Sequence, residues 1–268
     1  MMKEFNLNGK TAIVTGALGL IGRHHCRALA EAGAHVVVCD IDEEAARDFA
    51  ATLPVRAIGC AADITDRKDL ENLLERALSF TGNPDILVNN AAINDKFETP
   101  ALAAEQSRFE NYPLELWQKS LDVNLTGMFL CCQVLGSAMA EAGSGSIINV
   151  ASTYGVVAPD QSLYRDEAGR QTFYKSPSYP ATKAGVIGFT KFLAAYWGHR
   201  GVRVNALSPG GVEAGQDPVF IKNYSQKTPL GRMAGADDYR GALVFLASDA
   251  SRYMTGANLI VDGGWTAW

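Results

Sequence analysis

A chain of 268 residues, 47% apolar and 20% charged, has the size and composition of one large α/β domain and is too apolar to stay disordered. The formal net charge is −5 and no basic run occurs, which argues against a nucleic-acid or anionic-membrane partner. The five cysteines, Cys26, Cys39, Cys60, Cys131 and Cys132, show no Cys-x-x-Cys spacing. Their apolar neighbours point to reduced, buried thiols in a cytosolic protein, without a disulfide or metal role.

Met1 to Phe5 leads almost directly into the first strand with no signal peptide, so a cytoplasmic location is expected. Lys10–Thr15 reads as that strand, Gly16-Ala17-Leu18-Gly19-Leu20-Ile21-Gly22 as a turn, and 20–32 as a helix. Glycines in this context let backbone N–H groups and a helix N-terminus approach a pyrophosphate. The next strand, Ala34–Asp40, ends on an acid 40 − 22 = 18 residues past the last glycine. A carboxylate there accepts hydrogen bonds from ribose hydroxyls and repels a 2′-phosphate. Ile41 and Asp42 follow and Ala17 occupies the loop, so no cation stands beside Asp40, and NAD is expected over NADP. Asp40 also reads as an N-cap for a helix starting at Glu43, a role compatible with the first.

Helical stretches near 43–53, 66–80, 114–141, 179–199 and 236–248 alternate with strands at Val55–Cys60, Asp85–Asn89, Ser146–Ala151, Val202–Ser208 and Ala257–Val261. Strands without polar alternation are covered on both faces, which predicts a doubly wound parallel sheet of about seven strands in a single domain, 1–268. The most membrane-like window, Val123–Ala140, carries Asn124, Thr126, Gln133 and Ser137 and reads as a helix buried in the protein. Two irregular stretches, Asp95–Pro113 and Pro159–Pro177, follow strands, where loops line the ligand crevice of such sheets.

Tyr179 and Lys183, four residues apart, leave the same face of the helix at 179–199. A free tyrosine, with a pKa of about 10, is a poor base at neutral pH, and a neighbouring ammonium favours the phenolate. The pair therefore reads as a proton-handling unit, although Tyr-x-x-x-Lys also arises by chance on ordinary helices.

With these pieces in order, the chain resembles the short-chain dehydrogenase/reductase family, in its compact single-domain branch with a Rossmann-type sheet. The matching residues are Thr15-Gly16…Gly22, Asp63-Ile64, Asn89-Asn90-Ala91-Ala92, Asp122-Val123-Asn124, Ser152, Tyr179…Lys183, Pro209-Gly210 and Val261-Asp262-Gly263-Gly264. The resemblance implies an NAD-dependent oxidoreductase that uses Tyr179 as general acid/base. Lys183 would lower its pKa and bind ribose, Ser152 would align the substrate oxygen, and Asn124 would hold a water linking Lys183 to solvent. It further implies that Gly16, Gly19, Leu20, Ile21, Gly22, Asp40 and Ile41 hold the cofactor. Asp63 and Ile64 would contact adenine, Asn90, Ala91 and Ala92 would border the ribose and nicotinamide side, and Pro209, Gly210 and Val212 would hold the carboxamide edge. Three positions depart from the pattern. The Gly16-x-x-Gly19-x-x-Gly22 spacing is more usual in the epimerase-type branch, Ala92 replaces a glycine, and Ala214 stands where a threonine often braces the carboxamide.

Ser152 and Tyr179 are also farther apart than is common in the family, and the segment after Ala92 is longer. These insertions carry Tyr164, Arg165, Arg170, Tyr174 and Lys175, and Asn94, Lys96, Arg108 and Tyr112. They are expected to sit above the nicotinamide as lids that select substrate. Their hydroxyl, amide and guanidinium groups point to a sugar, sugar acid or polyol, with Asn94, Tyr154 and Arg165 as substrate contacts and an arginine meeting any anionic group. A 3-oxoacyl thioester reductase and a catalytically idle dinucleotide-binding scaffold are the alternatives. Excess apolar surface on the helices at 114–141 and 179–199 predicts a dimer face, and by symmetry a homotetramer.

Overall fold

Short runs of Val, Ile, Ala and Cys with no polar alternation can lie only where both faces of a sheet are covered, and the structure places them there. The computed structural model describes residues 2–94 and 103–268. Its seven strands are β1 (Thr11–Thr15), β2 (His35–Asp40), β3 (Ala57–Ala61), β4 (Ile86–Asn89), β5 (Gly145–Val150), β6 (Val202–Pro209) and β7 (Asn258–Val261). All pair in parallel, in the order β3-β2-β1-β4-β5-β6-β7. The order reverses between β1 and β4, so a crevice opens at the carboxyl ends of these two strands.

The helices are α1 (Gly22–Glu31), α2 (Glu43–Ala51), α3 (Arg67–Thr81), α4 (Ala103–Gln106), α5 (Leu114–Leu121), α6 (Met128–Cys131), α7 (Ser137–Ala142), α8 (Ser178–Trp197), α9 (Pro218–Lys227) and α10 (Arg240–Ala247). Alternate strand residues feed two cores. Ile13, Val37, Leu87, Ile147 and Val204 pack with α3 and with Leu135, Val186 and Leu193. Val14, Val36, Val88, Ile148 and Leu207 pack with α1, α2 and α10 through Leu29, Phe49 and Leu243. This two-sided cover is the doubly wound arrangement expected from the strand pattern. All five cysteines are buried free thiols.

The long apolar segment Leu114–Ala142 is not one uniform α-helix. Two π-helical stretches, Asp122–Gly127 and Cys132–Gly136, interrupt it. More than half of its most apolar window is buried inside the fold, which supports the core-helix reading. The third strand begins at Ala57 rather than Val55, and α10 at Arg240 rather than near 236. Helix α9 was not anticipated at all, yet Asp217 accepts from the Val219 N–H at 2.8 Å and Pro218 opens the first turn, the usual punctuation of a helix start.

One buried side chain makes the fold sensitive to pH. His25 on α1 is fully buried, and neither ring nitrogen has a hydrogen-bond partner among the described residues. Burial, reinforced by the neighbouring His24, lowers its pKa to about 4 from 6.5. The folded protein thus holds His25 neutral while the unfolded chain takes up a proton, so stability is lost as pH falls below the unfolded value. Between pH 7.5 and pH 5 this loss is about 2 kcal/mol. His25→Leu should therefore flatten the pH dependence of the urea midpoint by about that amount; an unchanged slope would show that His25 does not titrate on unfolding.

Candidate active site

The crevice at the switch point is a cleft of about 1050 Å³ lined by the loops after β1, β2, β3, β4, β5 and β6. At its first loop the chain turns at Gly16, where φ is +59° and a Cβ would fall 2.6 Å from the Ala91 Cα. Only glycine fits there, because the loop after β1 is pressed against the loop after β4. Asn90 secures that contact by donating from Nδ2 to the carbonyls of Thr15 and Gly16 at 3.1 and 2.8 Å. The Thr15 hydroxyl accepts from the N–H groups of Asn90 and Ala91, at 3.2 Å each.

Helix α1 then starts at Gly22 with no side-chain cap. Its first N–H groups and positive dipole end face the region lined by Gly16, Gly19, Leu20 and Ile21, a cradle suited to a diphosphate. Asp40 accepts from the Leu18 N–H and the Ile41 N–H at 2.9 Å each. The cap of α2 falls instead to Asp42, which accepts from Ala45, so Asp40 remains at the lip of the cleft. Arg23 is turned away from it, donating to the Leu18 carbonyl and lying 4.9 Å over the Phe49 ring. Asp63 lines the cleft, but its carboxylate closes a turn by accepting from the Thr65 N–H and hydroxyl at 2.9 and 2.7 Å. Ile64 and Ala92 line the same wall. Together these residues fit a dinucleotide: uncapped helix N–H groups for phosphate, a carboxylate for ribose and apolar walls for the rings.

Strand β6 delivers Pro209, Gly210 and Val212 to the cleft's other side. Three hydroxyls fix this loop. Thr153 donates to the Pro209 carbonyl at 2.8 Å, Tyr239 donates to the Gly210 carbonyl at 3.0 Å, and Tyr224 accepts from the Gly211 N–H at 2.7 Å. Where Ala214 lacks a hydroxyl, Gln216 accepts from the Ala214 N–H and donates to the Val212 carbonyl, and it lines the cleft.

The proton-handling pair sits where β5 ends against α8. Gly155 makes this approach possible, since a Cβ there would fall 2.6 Å from the Lys183 carbonyl oxygen. Lys183 is 3% exposed, donates from Nζ to the Val150 carbonyl at 2.7 Å, and lies 5.7 Å from the centre of the Tyr179 ring. Burial lowers its pKa to about 8. Ser152 is buried; its hydroxyl accepts from the Tyr154 N–H at 3.1 Å and lies near enough to the Tyr179 phenol to favour its ionised form. Burial pushes the Tyr179 phenol up, and the Ser152 hydroxyl pulls it down. Desolvation outweighs the effect of that hydroxyl.

Asn124 lies in the first π-helical stretch, a local widening frequent at functional sites. Its amide exchanges two hydrogen bonds with the Ile93 peptide, at 2.7 and 3.0 Å, and approaches the Thr182 hydroxyl at 3.4 Å. Its side chain therefore braces the loop after β4, and no hydrogen bond to Lys183 is present among the described residues.

The insertion at 159–177 is folded against the cleft. Gln171 donates to the carbonyls of Gln161 and Phe173, and Gln161 accepts from the Lys175 N–H. Tyr154 and Tyr164 line the cleft, and the Tyr164 ring packs 5.1 Å from Phe173 and 5.2 Å from Phe220. The wall is thus more aromatic than the insertion's polar composition implied. Arg165 is not a cleft residue: it pairs with Gln171 across a short antiparallel bridge and borders a separate depression with Asp166 and Arg170. The insertion's cation in the cleft is Lys175, 4.4 Å over the Tyr179 ring and 2.6 Å from Asn94 Oδ1. Of the insertion after Ala92, Lys96 lies outside the described residues, while Tyr112 shares a 2.9 Å hydrogen bond with Ser178 at the start of α8. Phe220 and Tyr224 went unforeseen because α9 did; Asp217-Pro218 was the available signal.

Residues 16–266 match the family model described as Enoyl-(Acyl carrier protein) reductase. D-threitol dehydrogenase of Mycolicibacterium smegmatis is 38% identical over 271 residues, covering 98% of this chain and 95% of that protein. NAD-dependent glycerol dehydrogenase of Listeria innocua is 33% identical over 271 residues, covering 98% and 96%. The crystal structure of a gluconate 5-dehydrogenase from Burkholderia cenocepacia in complex with NADP and tartrate superposes with a TM-score of 0.83 at 31% identity, covering 99% of this chain and 98% of that one. Fold, motif order and these whole-length matches place the chain in the short-chain dehydrogenase/reductase family, whose members bind a nicotinamide dinucleotide.

Proposed function

We propose that this protein is an NAD-dependent dehydrogenase that oxidises a secondary alcohol of a sugar, sugar acid or polyol, and reduces the matching ketone. The observation that carries this reading is that Ser152, Tyr179 and Lys183 line one cleft suited to a dinucleotide, with the Lys183 ammonium 5.7 Å from the Tyr179 ring. The relatives that act on threitol, glycerol and gluconate support the substrate class.

When bound, the oxidised nicotinamide supplies the hydride acceptor and a positive charge beside the phenol. The chain's own groups handle the proton. Ser152 and Tyr179 bracket the substrate oxygen; Tyr179 takes its proton during oxidation and returns it during reduction. Lys183 keeps an ammonium near the phenol below its own value of about 8. In the oxidation direction activity falls as pH drops, because the base must be phenolate. Tyr179→Phe should reduce turnover about 1000-fold or more while leaving NADH binding, followed by fluorescence, unchanged; full activity in this variant would refute the assignment. A panel of polyols, aldonates and a 3-oxoacyl thioester, each followed by NADH absorbance, tests the substrate class, and a clear preference for the thioester would replace the reading.

Asp40 supports the choice of NAD, since a 2′-phosphate would meet its carboxylate with Arg23 turned onto Phe49. Like-charge contact of this kind costs about 2–3 kcal/mol, roughly a hundredfold in kcat/KM for NAD over NADP. Asp40→Ser should erase most of that preference by improving NADP use; equal use of both cofactors by the wild type would contradict it.

A homotetramer is supported by an exposed aromatic ladder on α6 and α8. Phe129 and Phe189 stand 5.8 Å apart, Phe189 and Phe192 6.1 Å, and Phe192 and Tyr196 5.7 Å, with Phe192 and Tyr196 59% and 60% exposed. Apolar surface of this extent is usually covered by a partner. Phe192→Glu should shift the protein to smaller species in light scattering, whereas an unchanged mass would place the interface elsewhere.

A further inference from the structure

Beside the proton-handling pair the cleft is walled by aromatic rings. Tyr154, Tyr164, Phe173, Phe220 and Tyr224 all line it, contributed by the turn after β5, the insertion and α9. We propose that these rings form a stacking wall for a saturated ring, so that the alcohols oxidised are ring hydroxyls of cyclic sugars and cyclitols rather than hydroxyls of open-chain polyols. This rests on the reading of Tyr179 and Ser152 given under Proposed function and narrows its substrate class.

Three observations converge. First, the rings are contiguous. Tyr164 meets Phe173 at 64° and Phe220 at 36°, with centroids 5.1 and 5.2 Å apart, and Phe220 lies 6.1 Å from Tyr224. The face of an aromatic ring carries negative charge density, which attracts C–H bonds polarised by neighbouring oxygens. A pyranose or cyclitol presents several such C–H bonds on one face and holds its hydroxyls at the edge. An open-chain polyol carries hydroxyls along its whole length and must freeze several torsions to offer an equivalent face.

Second, the wall is held in place before any ligand arrives. Tyr164 and Phe220 pack against the buried cluster of Leu163, Tyr224, Met233 and Trp265, in which Tyr224 and Trp265 stack at 4.3 Å and 16°. The Tyr164 carbonyl accepts from both the N–H and the hydroxyl of Thr172, at 2.9 and 2.8 Å. Tyr164 and Phe220 nevertheless stay partly exposed where they line the cleft. Rings fixed in this way lose little freedom when a ligand stacks on them.

Third, the wall adjoins the reacting groups. The Tyr154 N–H donates to the Ser152 hydroxyl at 3.1 Å, and the Tyr224 hydroxyl accepts from the Gly211 N–H on the cofactor side at 2.7 Å. Phe173 stands two residues before Lys175, whose ammonium lies 4.4 Å from the centre of the Tyr179 ring. A body held by the wall therefore lies beside the groups that act on its hydroxyl. Burial raises the phenols of Tyr154 and Tyr164, the latter to about 12, so both offer neutral hydroxyls to the edge of a ring.

Pairs that share carbon number and configuration and differ in ring closure (1,5-anhydro-D-glucitol with D-glucitol, 1,5-anhydro-D-galactitol with galactitol, 1,4-anhydroerythritol with erythritol) test this in the wild type, Phe220→Leu, Tyr164→Leu and Phe220→Tyr. The wild type should favour the ring-closed member of its best pair. Leucine keeps an apolar side chain but removes the flat face, so in Phe220→Leu the ring-to-chain ratio of kcat/KM should fall about tenfold, and should do so through KM. Tyr164→Leu should act in the same direction, whereas Phe220→Tyr should retain the ratio. Calorimetric titration of the NADH complex with the preferred anhydroalditol reads the contact without turnover, and its Kd should weaken by a similar factor in Phe220→Leu. Equal or better efficiency with the open-chain member of every pair in the wild type would overturn the stacking wall and leave the dehydrogenase reading intact. A ratio unchanged in both leucine variants would also overturn it and assign the rings to packing alone. If no member of any pair turns over, the functional reading fails and the wall falls with it.

Discussion

A buried ammonium on a strand-end carbonyl is the contact around which the catalytic end is arranged. Lys183 is almost wholly excluded from solvent, and a charge so placed costs several kcal/mol unless it is hydrogen-bonded. The Val150 carbonyl at the end of β5 meets that need, which docks α8 on the strand and presents Tyr179, one turn earlier, to Ser152 two residues beyond Val150. Gly155 permits the close approach, and Thr153, from the same short turn, reaches across to the Pro209 carbonyl after β6. One helix–strand junction thus sets the phenol, the hydroxyl and the loop that closes the cofactor side.

The rest of the cleft extends this logic to both ends. Toward β2 and β3 it is largely a backbone site, made from an uncapped helix start and a glycine turn, with the carboxylates of Asp40 and Asp63 at its edge. Toward the insertion and α9 it is a side-chain site, with aromatic rings and the Lys175 ammonium. The first kind of site depends on strand and helix geometry shared throughout the family. The second depends on loops whose length and sequence are free to vary, and substrate choice belongs there.

What could be seen in advance follows the same division. The β1 turn, Asp40 and the Tyr179–Lys183 pair were legible because each is a local pattern: a strand-turn-helix, a strand-end acid and a four-residue spacing. The homology of the fold was legible from strands without polar alternation. The insertion was not, because Arg165 and Lys175 are ten residues apart in one polar loop, and only a tertiary fold decides which of them faces inward. The use of the Asn124 side chain to hold the Ile93 peptide was not legible, because that contact joins a helix to a loop 31 residues away. The effect of burial on Tyr179 is not legible in the sequence for a related reason. The spacing reveals the neighbouring ammonium, whereas desolvation depends on everything packed around the ring.

Burial alone makes Tyr179 a weaker acid than a free tyrosine, so the account requires that cations in the assembled site reverse the shift. Ultraviolet difference titration of tyrosinate in the NAD⁺ complex, compared between the wild type and Tyr179→Phe, measures this directly. The account predicts one phenol, present only in the wild type, ionising well below the ordinary value of about 10. Superimposable titrations of the two proteins up to that pH would contradict it.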